Sequence, residues 1–190
     1  MSLATRRVLS IQSHVSHRYV GNRAAVFPLQ LLGFDVDVIN TVQFSCHTGY
    51  PTFTGQKLTD DDFNVLVKGF ADNRLLTHSH LLSGYIGSAR LLRQVLELRK
   101  MMPEGCRYIC DPVLGDNGKL YVPAELIDVY RKEVLPYVTL LTPNQFEAEK
   151  LSEKTITSVS DAAAVCDVLH KLGPSTVCLT TLDVPDATEG

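Results

Sequence analysis

The chain has 190 residues, of which 45% are hydrophobic and 21% are charged, as in an ordinary globular domain with a core of its own. The formal net charge of −3 leaves no basic surface of the kind that nucleic-acid binding requires, so we expect no nucleic-acid partner. Neither the N-terminus, with Arg6 and Arg7, nor any later stretch carries a long apolar run, and we therefore expect no signal peptide and no membrane span.

Short apolar runs alternate with amphipathic patterns along the chain. In chain order, the first half predicts a strand at 7–12, a helix at 22–32, a strand at 35–40, an exposed strand or flap at 51–57, a helix at 60–70, a strand at 80–84 and a helix at 88–102. The second half predicts a strand at 106–110, a helix at 123–133, a strand at 138–141, helices at 144–152 and 161–172, and a last strand at 176–180. Ser160 is the candidate cap of the last helix. This alternation predicts a doubly wound, mostly parallel α/β sheet with helices on both faces, in a single domain spanning residues 1–190.

Five cysteines are present, an odd number without a CxxC pair. Cys106 and Cys110 share one predicted strand and would lie about 13 Å apart in it, which is too far for a disulfide. Reduced thiols are typical of a cytoplasmic protein, and we expect that location.

Polar residues follow the predicted strands, where the ligands of such sheets gather. Ser13 follows the first strand, and Gly21 and Asn22 open a helix whose free N–H groups are able to face a ligand, although simple capping by Asn22 explains the same residues. The run 45–50 suits either a pocket or an ordinary loop, and His47 within it is a weak signal for a base.

Two carboxylates follow the buried strand at 106–110. Asp111 closes that strand and Asp116 lies five residues further on, an arrangement that is able to hold a cation beside phosphates. Turn formation explains Asp116 without any function, but it does not explain an Asp at the end of a buried strand.

The last two strands are also followed by oxygen-bearing side chains. Glu147 comes three residues after Asn144, a spacing typical of a helix cap, so metal binding and capping both remain open. The hydroxyls of Thr180 and Thr181 end the last strand. His78 and His80 form a possible metal pair, although core or solvated histidines are the simpler interpretation.

Taken together, these runs resemble the pyridoxal kinase branch of the ribokinase-like superfamily. The matching segments are VLSIQSHV (8–15), YVGN (19–22), FPLQLLGF (27–34), HTGY (47–50), SGY (83–85), YICDPVLGD (108–116), LYVP (120–123) and LLTPNQFEAE (140–149). The resemblance implies transfer of the γ-phosphoryl group of ATP to the 5′-hydroxymethyl group of pyridoxal, pyridoxine or pyridoxamine. It also implies Mg²⁺, a monovalent cation (K⁺ or Na⁺), and a homodimer.

The same resemblance implies roles for individual residues. The vitamer-binding positions are Ser13 and Thr48, as hydrogen-bonding groups, Val20 and Tyr85, as ring-packing groups, and Tyr121, from a loop that covers the site. The implied ATP-binding positions are Asp111, Asn144, Glu147, Thr180 and Thr181. The implied metal positions are Asp116, Thr142, Glu147 and Thr180.

Three departures from the family pattern bear on function. Cys46 stands where the family usually has Asn, and Arg18 stands where it usually has Gly. The family's Gly-Thr-Gly-Asp motif, which supplies the catalytic base, does not occur in these 190 residues, so we expect no catalytic base in this sequence and an incomplete C-terminal end. The polar stretch 183–190 is expected to be a loop that leads onward.

Two alternatives remain open. The first is a catalytically inactive, truncated form that binds vitamin B6 or a partner subunit. The second, weaker alternative is a sister kinase that acts on hydroxymethylpyrimidine.

Overall fold

A computed structural model of the chain describes residues 6–184, so the two ends of the sequence, including most of the predicted loop at 183–190, lie outside the described residues. The chain divides into two compact units, one up to Tyr108 and one from Ile109 onward. The prediction of a single domain over 1–190 stays a prediction.

The first unit alternates strands with helices. Its elements are β1 (Arg7–Val15), α1 (Asn22–Leu31), β2 (Asp35–Phe44), β3 (Gly55–Lys57), α2 (Asp60–Asp72), β4 (His80–Ser83) and α3 (Ala89–Met101). β1 pairs in parallel with β2 and with β4, and β3 is an antiparallel edge strand on β2. Leu9, Phe63 and Leu92 have no exposed surface, because the apolar faces of the strands and helices meet there.

The second unit begins at Ile109, within β5 (Arg107–Cys110). Its further elements are β6 (Gly115–Asp116), β7 (Lys119–Leu120), α4 (Glu125–Val129), β8 (Leu140–Leu141), α5 (Gln145–Ser152), α6 (Val159–Lys171) and β9 (Thr176–Val177). β8 pairs in parallel with β5 and with β9, whereas β6 and β7 form a separate antiparallel hairpin. The α/β class and the mostly parallel sheet are thus confirmed.

Several boundaries differ from the prediction. β1 and β2 run three and four residues further than expected, because pairing between them continues through polar positions that interrupt the apolar pattern. The last strand stops at Val177, three residues early. Ser160 does not cap α6; Ser158 does, and its Oγ accepts a hydrogen bond from the N–H of Asp161 (3.1 Å).

The helix predicted at 123–133 is the largest departure. Only Glu125–Val129 is α-helical, and a π-helical turn (Tyr130–Val134) and a 3₁₀ turn (Leu135–Tyr137) follow it. Pro136 has no N–H to donate to the preceding turn, so a regular α-helix cannot continue through it.

Within residues 6–184, no helix is both long enough and apolar enough to cross a membrane.

Candidate active site

Ser13 lies at an irregularity of the β1–β2 ladder in the first unit. Gln12 pairs with Asn40 but His14 pairs with Gln43, so the register shifts at Ser13. Such bulges are common beside functional sites, where they redirect a side chain. The direction of the half-buried Ser13 side chain therefore depends on this irregularity and does not follow from the ordinary alternation of side chains along a strand.

Gly21 packs directly on Ser13. Its backbone has φ 52° and ψ −130°, a conformation that glycine adopts far more readily than other residues. A β-carbon at Gly21 would lie 2.1 Å from the carbonyl oxygen of Ser13 and 2.5 Å from its Oγ. Only a residue without a β-carbon therefore fits this close to Ser13.

A small apolar cluster lies in the same unit and consists of Val15, Val42 and Phe44. Val20 and Tyr85, the two residues predicted to pack on the vitamer ring, both pack against it. Burial raises the pKa of Tyr85, so its phenol stays protonated at neutral pH. The structure thus brings two predicted residues to one apolar surface.

The loop that carries Thr48 is more open. Thr48 is exposed, and the Nδ1 atom of His47 accepts a hydrogen bond from the N–H of Gly49 (3.2 Å). The His47 ring also packs on Tyr50, with ring centroids 4.7 Å apart. These contacts favour a structural role for His47.

Arg18, the residue that stands where the family usually has Gly, has φ 73°. This is the left-handed region that glycine favours, so the backbone path is the one a glycine would take, and Arg18 adopts it under strain.

In the second unit, β5 and β8 are neighbouring parallel strands, and Asp111 and Thr142 directly follow their carboxyl ends. The N–H of Thr142 donates to the carbonyl of Cys110 (3.0 Å), which holds the two ends side by side. Two predicted positions therefore share one edge of the sheet.

Asn144 and Glu147 form a capping box at the start of α5. The Asn144 Oδ1 atom accepts from the N–H of Glu147 (2.8 Å), and the Glu147 Oε2 atom accepts from the N–H of Asn144 (2.9 Å). The capping interpretation is confirmed. Metal binding by Glu147 stays a prediction.

Glu147 also ties the segment after Asp111 to α5. Its carboxylate is only 4% exposed, and Oε1 accepts from the N–H of Leu114 (2.9 Å) and that of Gly115 (3.5 Å). The Asn144 Nδ2 atom donates to the carbonyl of Gly115 (2.8 Å). One buried carboxylate thus satisfies three backbone donors and positions the start of the β6–β7 hairpin.

Val113 lies in the middle of this segment with φ 25°. A β-branched residue at positive φ is a strained outlier, and strain of this kind is concentrated at functional sites. The contacts of Glu147 to the next two residues hold Val113 in that conformation.

The two carboxylates have perturbed acidities. Burial, together with the negative charge of Glu147, raises the pKa of Asp111 to about 7, against the opposing effect of the Val113 N–H. Burial also raises the pKa of Glu147, although its backbone hydrogen bonds oppose this and the charge of Asp116 adds to it. A bound cation would relieve both effects, because each raised pKa reflects a negative charge with too little compensation.

Asp111 should therefore make stability depend on pH. Its pKa of about 7 in the folded protein lies above the value of about 3.9 for an unfolded Asp, so the folded state holds the extra proton and its stability falls as the pH rises from about 4 to about 7. We expect Asp111→Asn to raise the free energy of unfolding at about pH 8 by up to about 4 kcal/mol, and by far less at about pH 4. Urea unfolding at both pH values measures this.

The exposed Asp167, replaced by Asn, is the matched control and should show no such pH-dependent gain. An equal effect of Asp111→Asn at both pH values would contradict the raised pKa.

A cavity of about 620 Å³ lies in the second unit and is lined by Asp116 and Thr181 among others. Gln145 connects α5 to two other lining residues. Its N–H donates to the Oγ1 atom of Thr181 (3.4 Å), and its Oε1 atom accepts from the N–H of Asp183 (2.7 Å). Lys150 also lines the cavity. It offers the positive charge that an anionic ligand needs.

The remaining predicted positions of this unit lie at its surface. The Thr180 hydroxyl donates to the carbonyl of Pro143 (3.3 Å), and the Asp116 carboxylate accepts from the N–H of Asn117 (2.8 Å). Tyr121 is exposed directly after the hairpin, and its N–H donates to the carbonyl of Leu114 (2.8 Å).

The two histidines of the predicted pair have separate hydrogen-bond partners. His78 is fully buried with its Nε2 atom 2.8 Å from Asp37 Oδ2, whereas the Nδ1 atom of His80 lies 2.8 Å from Ser79 Oγ. Among residues 6–184, no group of three or more His, Cys, Asp and Glu side chains is arranged to hold a metal ion. The simpler interpretation, a core histidine, is confirmed for His78.

Sequence reasoning misread Asn22 and overlooked Gln145. Gly21, not Asn22, is the N-cap residue of α1, and the side chain of Asn22 is buried with hydrogen-bond partners on β1 and β2. A buried Asn in the first turn of a helix whose other residues are exposed or half-buried has no local sequence signal. Gln145 lies between the two capping residues in the run NQFE (144–147), and its membership of that run is the one sequence feature that points to it.

These features define an α/β protein with a candidate ligand site at the carboxyl edge of a mostly parallel sheet. A family model described as phosphomethylpyrimidine kinase matches residues 77–189. The chain therefore belongs to that kinase family, and over nearly its whole length it is similar to pyridoxal kinases.

Two pyridoxal kinases show the extent of this similarity. The pyridoxal kinase of Arabidopsis thaliana is 55% identical over 184 residues, which cover 95% of this chain and 59% of that protein. The human pyridoxal kinase is 48% identical over 187 residues, which cover 94% of this chain and 60% of that protein. The chain thus spans less than two thirds of the length of these relatives.

A solved structure of pyridoxal kinase from Leishmania donovani, in complex with ADP and pyridoxine, matches with a TM-score of 0.87 at 41% identity. The match covers 91% of this chain and 63% of that one. The resemblance and fold class drawn from the sequence are thereby confirmed.

Proposed function

We propose that this chain provides most of the substrate-binding part of an ATP-dependent pyridoxal kinase. The reaction is phosphorylation of the 5′-hydroxymethyl group of pyridoxal, and also of pyridoxine and pyridoxamine, in salvage of vitamin B6. The observation that carries the proposal is a pair of carboxylates whose pKa values are raised by burial: Asp111, which directly follows β5, and Glu147, in the first turn of α5. The similarity to pyridoxal kinases supports it.

The phosphate side of the reaction belongs to the second unit. Asp111, Asn144 and Glu147 would serve Mg²⁺ and the phosphates of ATP, and two carboxylates suffice because Mg²⁺ takes its other ligands from phosphates and water. When bound, Mg²⁺ would neutralise charge on the transferring group. Thr180 and Thr181 would contact the nucleotide, since Thr181 lines the cavity.

A monovalent cation, K⁺ or Na⁺, would add positive charge beside the phosphates. We propose Asp116, Thr142 and Thr180 as its protein ligands. Carboxylate and hydroxyl oxygens are suitable donors for such a hard cation.

The vitamer side belongs to the first unit. Ser13 and Thr48 would hydrogen-bond the substituents of the pyridine ring, and Val20 and Tyr85 would pack on its face from the apolar cluster they share. On the family resemblance alone, Tyr121 would exclude water from the reacting groups, since water competes with the acceptor hydroxyl for the phosphoryl group.

Free thiols at all five cysteines support a cytoplasmic location. The homodimer and the single domain rest on the family resemblance alone.

Phosphoryl transfer also needs a base beside the attacking hydroxyl. The 190 residues contain no Gly-Thr-Gly-Asp motif, so the residues of this chain bind and orient the reactants without supplying that base. We therefore expect the 190-residue chain to form pyridoxal 5′-phosphate at least about 10⁴-fold more slowly than a fusion in which the C-terminal part of the Arabidopsis relative follows Gly190. Absorbance of the product, with pyridoxal, ATP and Mg²⁺ supplied, measures both rates.

A folded fusion without turnover would contradict the kinase function and favour a form that only binds. Equal turnover by chain and fusion would show that another base serves, and His14 and His47 would then be the first residues to replace.

A further inference from the structure

A hydrogen-bond network of Ser10, Gln12, Asn22 and Asn40 lies next to the segment that carries Ser13. The Asn22 Oδ1 atom accepts from Ser10 Oγ (2.7 Å), and the Gln12 Nε2 atom donates to the same Ser10 oxygen (2.9 Å). The Asn22 Nδ2 atom donates to Asn40 Oδ1 (2.8 Å) and to the carbonyls of Ile39 (3.1 Å) and Gln12 (3.4 Å). Asn22 is 1% exposed and is the only buried residue of α1 within the described helix.

The network ends where the β1–β2 ladder changes register. Asn22 bridges the backbones of both strands at Gln12, the last residue before the shift, and Ser13 follows immediately. Gly21, the neighbour of Asn22, is the residue whose backbone rests on Ser13. The side chain of Asn22 therefore anchors α1 at the point where α1 touches Ser13.

The same network reaches the segment that carries Tyr85. A β-carbon on Gly84 would lie 2.5 Å from the Oε1 atom of Gln12, so the Gln12 amide and the Gly84 backbone are in close contact. The N–H of Gly84 donates to the carbonyl of Ile11 (3.0 Å). One network thus joins the segments that hold a predicted hydrogen-bonding group and a predicted ring-packing group.

We propose that Asn22 is a positioning residue for the vitamer: through Ser10 and Gln12 it fixes the placement of Ser13 relative to Tyr85. The inference rests on the proposed function, since it assigns Asn22 to the vitamer side of that site. A buried polar network of this kind orients its members because every displaced group would lose a partner that water cannot replace. Asn22 itself need not touch the vitamer.

The test measures the Kd of the 190-residue chain for pyridoxal and its urea midpoint in parallel. We expect Asn22→Ala to weaken pyridoxal binding by about 10- to 100-fold in protein that is folded, since small misplacements of a binding group have effects of that size. Val95→Ala, a truncation of a fully buried side chain in α3, is the control that lowers the urea midpoint without touching the network. Its Kd should stay within about 3-fold of that of the wild type.

A double-mutant cycle separates positioning from general destabilisation. If Asn22 acts through Ser10, then Ser10→Ala should weaken binding by a smaller factor, and the double variant should bind about as weakly as Asn22→Ala alone. If Asn22→Ala does not fold, the pyridoxal affinity of Ser10→Ala tests the inference instead. We expect that variant to bind pyridoxal about 3- to 10-fold more weakly than the wild type.

Wild-type affinity in a folded Asn22→Ala or Ser10→Ala chain would overturn the inference and leave the proposed function standing. A parallel loss of affinity in Val95→Ala would also overturn it. If the folded wild-type chain itself does not bind pyridoxal, the proposed function fails and the inference falls with it.

Discussion

Glu147→Ala should lower the free energy of unfolding of the chain by about 3–5 kcal/mol. The substitution removes the carboxylate that accepts from the N–H groups of Leu114, Gly115 and Asn144, and an unsatisfied buried donor costs about 1–3 kcal/mol. Relaxation of Val113, which has φ 25° in the wild type, offsets part of this cost once these contacts are lost. Since small domains are stable by only about 5–15 kcal/mol, this is a large share of the total. Urea unfolding measures it.

The same helix supplies the control. Glu149 is half-buried and accepts from one backbone N–H, that of Ile156 (2.8 Å), so Glu149→Ala should cost about 1 kcal/mol. Glu147→Gln should fall between the two, because its amide keeps one acceptor and places N–H against the remaining donor. A loss below about 1 kcal/mol for Glu147→Ala would show that water replaces the carboxylate and that Glu147 does not hold the hairpin.

Gly21→Ala should abolish pyridoxal binding and destabilise the first unit by at least about 3 kcal/mol. The new β-carbon would lie 2.1 Å from a backbone oxygen, so Ser13 or the start of α1 must move. The backbone at φ 52° is strained for alanine in addition, by about 1–2 kcal/mol. Titration with pyridoxal and urea unfolding measure the two effects.

Gly33→Ala separates strain from collision. Gly33 also has positive φ, 82°, but a β-carbon there would meet no atom within 4 Å. We expect Gly33→Ala to cost about 1–2 kcal/mol and to leave pyridoxal binding unchanged. If Gly21→Ala binds pyridoxal as tightly as Gly33→Ala does, the close approach of Gly21 to Ser13 has no part in the site.

The sequence predicts the parts of the site that depend on local spacing. Asn144 and Glu147 are three residues apart, and that spacing alone indicates the cap which the structure contains. Asp111 follows a buried strand, and its place at the sheet edge follows from the alternation of strands and helices.

The sequence does not predict contacts between distant segments. The hydrogen bonds of Glu147 to Leu114 and Gly115 join residues 33 and 32 positions apart, so no local pattern records them. The positive φ of Val113 depends on those same contacts. The register shift at Ser13 depends on the pairing of two strands, and neither strand shows it by itself.

The helix predicted at 123–133 shows a different limit. Its apolar residues have helical spacing, and that spacing is correct for one face of Glu125–Val129. Pro136 lies beyond the predicted range, yet it changes the hydrogen bonds of the preceding turn. The periodicity of apolar residues indicates which residues are buried, but it does not indicate which backbone hydrogen bonds form within each helical turn.

Competitive binding of vitamers to the folded 190-residue chain tests the central claim most directly. We predict saturable binding of pyridoxal that pyridoxine and pyridoxamine displace and that hydroxymethylpyrimidine, at the same concentration, does not. Failure of the folded chain to bind pyridoxal, or preferential displacement by hydroxymethylpyrimidine, would contradict the assignment of the first unit to the vitamin B6 site.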